Sequence, residues 1–265
     1  MNPRYQEVLL KRRGTTARYL QQGNGPPVLY LHGVIASKGW NDFLDGLSEN
    51  FTVYAPLQPG FEGVEGLETL DSIHDLVIYY LDFLDELELE VVDVVGHFLG
   101  GMIALELAAV CPHYFGKLAL MAPAGFWRDD YQIPDIFIMS DREVRSQMFH
   151  DSKSKVLDEL FPSDETDEQR EMRRLHRQID LSAAGKFLWP IPDRGLNRRI
   201  HRIVNPVLLL WGEGDRIVSP EYSREFTNVL SNCRTVTLSN CGHLPMLEQS
   251  QRTLEVVGSF FDSEF

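Results

Sequence analysis

The chain has 265 residues, of which 43% are hydrophobic and 24% are charged, and its formal net charge is −14. This length and composition are typical of one large α/β domain with an inserted subdomain. The chain is too short for two independent domains. The acidic charge argues against binding to nucleic acid or to an anionic membrane, since both require a basic face.

The targeting and cysteine signals indicate a location inside the cell. The N-terminal segment has no apolar stretch long enough for a secretory signal, and no run approaches the roughly 18 apolar residues that cross a bilayer. Cys111, Cys233 and Cys241 are odd in number and lack metal-ligand spacing, so they indicate free thiols in a reducing compartment. We therefore expect a cytoplasmic protein with no metal and no cofactor; the sequence does not predict its oligomeric state.

The predicted elements alternate along the chain. Residues 5–19 are typical of an antiparallel pair at a sheet edge. Short apolar runs then predict buried strands at residues 28–31, 51–55, 91–95, 117–121, 207–211 and 234–238. Helical patterns lie between them at residues 72–87, 100–110, 220–230 and 251–261. This alternation predicts a mostly parallel sheet with helices on both faces.

The alternation stops at residues 126–203, which are rich in charge and in helix formers and contain no clear strand. A segment of this kind between two strands is typical of a helical insertion that closes over one end of the sheet. We therefore predict an α/β core from residues 1–125 and 204–265, with residues 126–203 as a helical cap.

Two glycine-rich turns follow predicted strands, where open α/β sheets place their sites. In LHGV, residues 31–34, the backbone N–H groups after the His-Gly pair could form an oxyanion hole, although a tight turn also needs glycine. In GHFLGG, residues 96–101, the glycines match the strand–elbow–helix motif G-x-S-x-G. Phe98 stands where this motif has its nucleophilic serine.

An acid and a histidine follow later strands. Asp215 comes after VLLLW in WGEGDRIVSP, and His243 lies in CGHLPMLEQ after the last strand. The order of elbow, Asp and His is that of the α/β-hydrolase triad. A carboxylate that orients an imidazole supports its use as a base and an acid.

These motifs resemble the α/β-hydrolase superfamily along nearly the whole chain. The resemblance is closest to bacterial esterases and carbon–carbon-bond hydrolases with a helical cap, and it includes the cap flanks APAGFWRDDYQIPDIF and LWPIPDRGLNRRIHRI. It implies that the backbone N–H groups of Val34 and Leu99 are oxyanion donors. It also implies that Asp215 is the acid and His243 the base. The family's nucleophile falls at Phe98, which cannot take that role.

Phe98 has no group that can attack a carbonyl, so covalent acyl-enzyme chemistry is excluded at this position. We expect a positive φ there, which is unfavourable for a bulky side chain, and a ring that projects into the cleft. Ser37 and Cys241 are the nearest replacements for the nucleophile. We interpret both as structural because neither is presented by the elbow.

The sequence leaves three functions open. The first is a serine-hydrolase lineage acting on a small apolar ester or related carbonyl compound, with serine-type hydrolysis absent or very weak. The second is a lyase, cyclase or cofactor-free oxygenase with the His243–Asp215 pair as base, and the third is a non-catalytic protein that binds a small apolar carbonyl ligand. The side chains expected to line the pocket, or else to pack in the core, are His32, Phe126, Trp127, Phe137 and Trp189.

Overall fold

A computed structural model describes residues 3–36, 38–151, 154–162, 164–191 and 193–264. Their strands form an eight-stranded sheet of order β1-β2-β4-β3-β5-β6-β7-β8. The strands are β1 (Gln6–Leu10), β2 (Thr15–Gln22), β3 (Pro27–Leu31), β4 (Thr52–Pro56), β5 (Val92–His97), β6 (Phe115–Met121), β7 (Val207–Gly212) and β8 (Cys233–Leu238). Strand β2 is antiparallel to β1 and β4, and all other pairs are parallel. The predicted sheet is therefore confirmed.

The helices connect the strands and pack beside the sheet. They are α1 (Asp42–Leu47), α2 (Ile73–Glu86), α3 (Leu99–Val110), α4 (Asp141–Met148), α5 (Lys155–Leu160), α6 (Asp167–Leu188), α7 (Ser223–Val229), α8 (Pro245–Glu248) and α9 (Ser250–Asp262). Helix α2 packs on α3, and α1 packs on α9. None of the described helices is both long enough and apolar enough to cross a membrane.

Local sequence explains where some helices begin. Helix α2 begins at a capping box in which Ser72 and Asp75 satisfy each other's backbone N–H groups. Some elements differ from the prediction. Residues 220–230 form a 3₁₀ turn, Pro220–Tyr222, before α7, and the unpredicted α1 begins where the Asn41 side chain accepts a hydrogen bond from the N–H of Leu44.

The segment between β6 and β7 contains α4, α5 and α6, and no strand lies in its described part. We call residues 126–203 the insert. Its return to the core is fixed by Arg199, whose Nε and Nη2 donate to the carboxylate of Glu106 on α3 at 2.7 and 2.6 Å. Glu106 is buried, so losing Arg199 would leave a buried charge uncompensated.

Candidate active site

The turn between β5 and α3 holds Phe98 in a strained backbone conformation, with φ 47° and ψ −106°. Residues other than glycine rarely adopt a positive φ. The N–H of Phe98 donates to the carbonyl of Met121, and its own carbonyl accepts from the N–H of Ala124, both at 3.0 Å. The expected positive φ is therefore confirmed, and the elbow backbone is intact without the serine.

Glycines allow this turn to form against the neighbouring strand. A Cβ on Gly100 would lie 1.9 Å from the carbonyl oxygen of Leu31 at the end of β3. A Cβ on Gly96 would lie 2.8 Å from the carbonyl oxygen of Gly100, and one on Gly101 would lie 2.8 Å from Cβ of Pro123. Helix α3 therefore begins in contact with β3, at a distance that excludes any side chain at Gly100.

The acid and the histidine meet in a buried pair. Oδ1 of Asp215 accepts the N–H groups of Ile217 and Val218 at 2.8 and 3.0 Å, which fixes the carboxylate in the turn after β7. Oδ2 of Asp215 lies 2.9 Å from Nδ1 of His243. When Nδ1–H donates to this carboxylate, the lone pair of the uncharged form of the ring is on Nε2.

The Phe98 ring lies beside that imidazole. The two ring centroids are 5.2 Å apart, and the planes meet at 77° in an edge-to-face contact. Nε2 of His243 is buried and has no hydrogen-bond partner among the described residues. The ring of Phe98, itself 3% exposed, thus packs against the imidazole and offers it no hydroxyl.

His97 supports His243 through its backbone. Nε2 of His97 donates to the carbonyl of His243 at 3.0 Å, and the two ring centroids are 4.7 Å apart. Burial holds the pKa of His97 well below its usual value, and the neighbouring His243 lowers it further. His97 is therefore a neutral residue that packs and hydrogen-bonds beside the elbow.

The two expected oxyanion donors follow adjacent strand ends. Val34 lies three residues after β3, and Leu99 is the first residue of α3 after β5. Strands β3 and β5 are parallel neighbours with Leu31 opposite Gly96, so both residues lie at the same sheet edge. Neither of their backbone N–H groups donates to another atom in the described part of the chain.

His32 stabilises the turn after β3 by hydrogen bonds. Its Nδ1–H donates to the carbonyl of Gly33 at 2.7 Å, and its Nε2 accepts the N–H of Gln58 at 3.1 Å. Burial lowers the pKa of His32 to about 4, so the imidazole is neutral near pH 7. These contacts account for both ring nitrogens of His32.

The other expected pocket residues pack with one another or with core residues. Phe126 stacks edge-on against Phe226, with centroids 4.6 Å apart. Phe137 packs against Trp189 at 5.6 Å, and Nε1 of Trp127 donates to Asp129 at 2.9 Å.

A cavity of about 580 Å³ lies between the loop after β3 and the insert. Its apolar lining includes Val34, Ile35, Leu160, Phe161 and Met172. None of the five side chains that the sequence indicated for the pocket lines this cavity in the described structure. The wall formed by α6 could not be predicted from the sequence, because charged residues dominate the pattern there.

A buried carboxylate on α6 ties the insert to the core beside this cavity. Oδ2 of Asp180 lies 2.5 Å from Nζ of Lys38, and its Oδ1 accepts the N–H of Glu62 at 3.1 Å. Nζ of Lys38 also lies 3.0 Å from the carboxylate of Glu62. Asp180 was not singled out by its sequence context, since an acidic residue on a charged helix is normally solvated.

Of the two residues considered as replacement nucleophiles, the structure describes only Cys241. Cys241 is buried, and burial raises the pKa of its thiol far above the usual value, so it does not supply a thiolate. This agrees with the structural interpretation of Cys241. Ser37 lies outside the described residues.

Comparisons with known proteins show what this chain is similar to. A family model described as "Alpha/beta hydrolase family" matches residues 28–256. A 2-hydroxy-6-oxo-2,4-heptadienoate hydrolase of Pseudomonas putida is 26% identical over 91% of each chain, and a monoacylglycerol lipase of Homo sapiens is 24% identical over 91% of this chain and 77% of its own. The structure of a 2-hydroxy-6-oxo-6-phenylhexa-2,4-dienoate hydrolase from Rhodococcus sp. strain RHA1 is 22% identical, with a TM-score of 0.75 over 98% of this chain and 99% of its own.

Proposed function

This chain belongs to the α/β-hydrolase family, and we propose that it derives from a hydrolase of small apolar esters or related carbonyl compounds but does not itself perform serine-type hydrolysis. The observation that carries the proposal is the contact between Phe98 and His243. A phenyl ring lies at the elbow against the imidazole, whose Nε2 has no partner in the described structure. Acyl transfer by the family's usual route needs a hydroxyl at that position, since the hydroxyl is both the nucleophile and the proton donor to the imidazole.

The ligand class is supported by two backbone groups at the elbow edge and by a cavity that reaches Val34, although neither Phe98 nor His243 is among the residues that line it. The cavity beside Val34 has a mainly apolar lining, and the N–H groups of Val34 and Leu99 have no acceptor in the described structure. Backbone N–H groups at such an edge suit the oxygen of a carbonyl compound. We therefore propose a small apolar carbonyl ligand, with residues 126–203 serving as its cap. The names of the two relatives, an oxo-dienoate hydrolase and a monoacylglycerol lipase, support a carbonyl compound of this kind.

A second candidate is a non-hydrolytic reaction in which His243 abstracts a proton from the ligand. The lone pair on Nε2, oriented by Asp215, favours this alternative. Such a reaction requires a ligand to reach Nε2, which is buried in an imidazole that packs against the Phe98 ring, so a neighbouring group has to move. Binding without turnover needs no such movement, and it is the simpler outcome for the chain as it stands.

The location is proposed on the state of the cysteines. Cys111, Cys233 and Cys241 are all unpaired. Free thiols are typical of proteins in a reducing compartment, and we propose the cytoplasm on that basis.

The decisive experiment compares Phe98→Ser with Phe98→Ala. Both remove the ring, but only serine supplies a hydroxyl next to Nε2. We expect hydrolysis of p-nitrophenyl butyrate and covalent labelling by a fluorophosphonate in Phe98→Ser alone. Adding His243→Ala to Phe98→Ser should lower the restored rate by about 10²-fold or more, because the general base is lost.

The unaltered chain provides the opposing result. If it hydrolyses aryl esters and loses that activity in His243→Ala, catalysis proceeds without the elbow serine and the proposal is wrong. If Phe98→Ser folds but neither labels nor hydrolyses, the site has lost more than its nucleophile, and descent from a simple esterase is contradicted. Circular dichroism and thermal unfolding of each variant show whether it has folded.

A further inference from the structure

Glu248, the last residue of α8, bridges two segments that are far apart in the chain. Its Oε1 accepts the backbone N–H of Gly242 at 2.9 Å and that of Leu244 at 3.3 Å. Its Oε2 accepts the N–H of His150, in the insert just after α4, at 2.7 Å. One oxygen thus holds the residues on either side of His243, and the other holds the insert.

The turn that carries His243 also touches the insert directly. The backbone N–H of His243 donates to the carbonyl of Met148 at 2.8 Å. A Cβ on Gly242 would lie 2.7 Å from both the nitrogen of His150 and the carbonyl oxygen of Met148. The two backbones are therefore in contact at a position that accepts only glycine, and Glu248 spans that contact.

This arrangement goes beyond what is needed to cap a turn. Hydrogen bonds to Gly242 and Leu244 alone would stabilise the short helix α8 and the turn before it. The second oxygen instead satisfies an N–H from another segment. A carboxylate shared in this way resists displacement of either segment, because moving one leaves a partly buried charged oxygen without its donor.

We propose that Glu248 is a positioning residue that couples the insert to the His243 imidazole, so that displacement of residues 148–150 changes the hydrogen bond between His243 and Asp215. The coupling holds whether or not the chain has a catalytic activity. It rests on the proposed function only for the identity of His243 as the base of the site.

The test uses Glu248→Gln in the full-length chain. Glutamine keeps one acceptor oxygen for the N–H groups of Gly242 and Leu244, but places an NH₂ group opposite the N–H of His150, so that two donors face each other. We expect the Nδ1 proton of His243, followed by ¹H NMR, to shift and to exchange with solvent about tenfold faster or more, in keeping with the loss of one charge-assisted hydrogen bond. The amide proton of His150 should also exchange faster.

Glu255→Gln is the matched control. Glu255 lies on α9 in an exposed ion pair with Arg252, so the same chemical change there should leave both His243 and His150 unaffected. If Glu248→Gln lowers the melting temperature but leaves the Nδ1 proton and the imidazole titration of His243 unchanged, Glu248 is only a structural brace and the coupling is refuted.

The Phe98→Ser background gives a second, separable measurement. There, Glu248→Gln should reduce kcat for p-nitrophenyl butyrate more than it raises KM, since a misplaced base affects the chemical step. If Phe98→Ser is itself inactive, the proposed function fails, yet the NMR comparison in the unaltered chain still decides the role of Glu248. An unchanged kcat in an active Phe98→Ser, Glu248→Gln protein would overturn the coupling.

Discussion

The elbow at Phe98 and the pair formed by Asp215 and His243 differ in what each contributes at this sheet edge. At the elbow, the backbone has the strained conformation, but the side chain is a phenyl ring with no nucleophilic group. At the pair, both reactive side chains are present and hydrogen-bonded at 2.9 Å. The backbone conformation at this sheet edge and the side-chain chemistry presented there are therefore determined by different residues.

The elbow persists because its conformation does not depend on the residue at its centre. The hydrogen bonds of Phe98 to Met121 and Ala124 are made by backbone atoms, and the close approach to β3 depends on Gly100. A strained φ costs of order 1–3 kcal/mol. Burial of the Phe98 ring contributes about 1.5–3 kcal/mol, which is enough to offset that strain.

The largest expected effect comes from a substitution that disrupts the backbone of the elbow. Gly100→Ala places a Cβ 1.9 Å from the carbonyl oxygen of Leu31, and neither backbone can move without separating α3 from β3. We expect the free energy of unfolding to fall by at least about 3 kcal/mol, measured by urea denaturation. The Asp215–His243 pair is expected to be lost with it, because both depend on the same sheet edge.

The control for this prediction is Gly258→Ala. Gly258 lies inside α9, and a Cβ there meets nothing within 4 Å. It should stabilise the protein by up to about 1 kcal/mol, as alanine does within a helix. Equal effects of the two substitutions would show that contact with Leu31 is unimportant.

The next largest effect is the pH dependence of stability that the buried imidazoles of the site produce. Burial lowers the pKa of His32 from 6.5 to about 4, so the unfolded chain binds more protons than the folded one between these values. Stability is therefore retained above pH 6.5 and lost as the pH falls through this window, by about 2 kcal/mol for His32 at pH 5. His97, whose pKa is also lowered by burial, acts in the same direction.

Urea denaturation at pH 7 and pH 5 measures this loss. His32→Asn should reduce the difference between the two pH values, even though it is less stable at pH 7. His74→Gln, at an exposed position on α2, should leave the difference unchanged. If the free energy of unfolding is the same at pH 7 and pH 5, His32 accepts a proton in the folded state.

The smallest expected effect is a difference in stability between two variants that measures the backbone strain at the elbow. Phe98→Gly and Phe98→Ala both remove the ring, but only glycine adopts φ 47° without cost. We expect the glycine variant to be more stable than the alanine variant by about 1 kcal/mol in urea denaturation, even though glycine is normally the less favourable residue at a helix boundary. The reverse order would mean that Phe98 is not strained.

Most of the sheet and the motif residues could be predicted because their signals are local. Apolar runs such as residues 207–211 identify buried strands, and the strict spacing of Gly96, Gly100 and Gly101 identifies a sharp turn next to a helix. The cavity wall could not be predicted in the same way. Asp180 is buried only because Lys38 and Glu62 come from other loops, so nothing in its own neighbourhood distinguishes it from a solvated helix residue.

By itself, the sequence determined the fold family, the elbow and the identity of the Asp215–His243 pair, since these depend on residue types at fixed spacings along the chain. The structure was needed to see that the Phe98 ring packs on the imidazole and that His32 is neutral and hydrogen-bonded through its ring nitrogens. It was also needed to see that Glu248 accepts hydrogen bonds both from the insert and from the residues on either side of His243. The physical reason is that these are contacts between segments distant in the chain. Their geometry follows from how the strands and the insert pack, and no local pattern of residues encodes it.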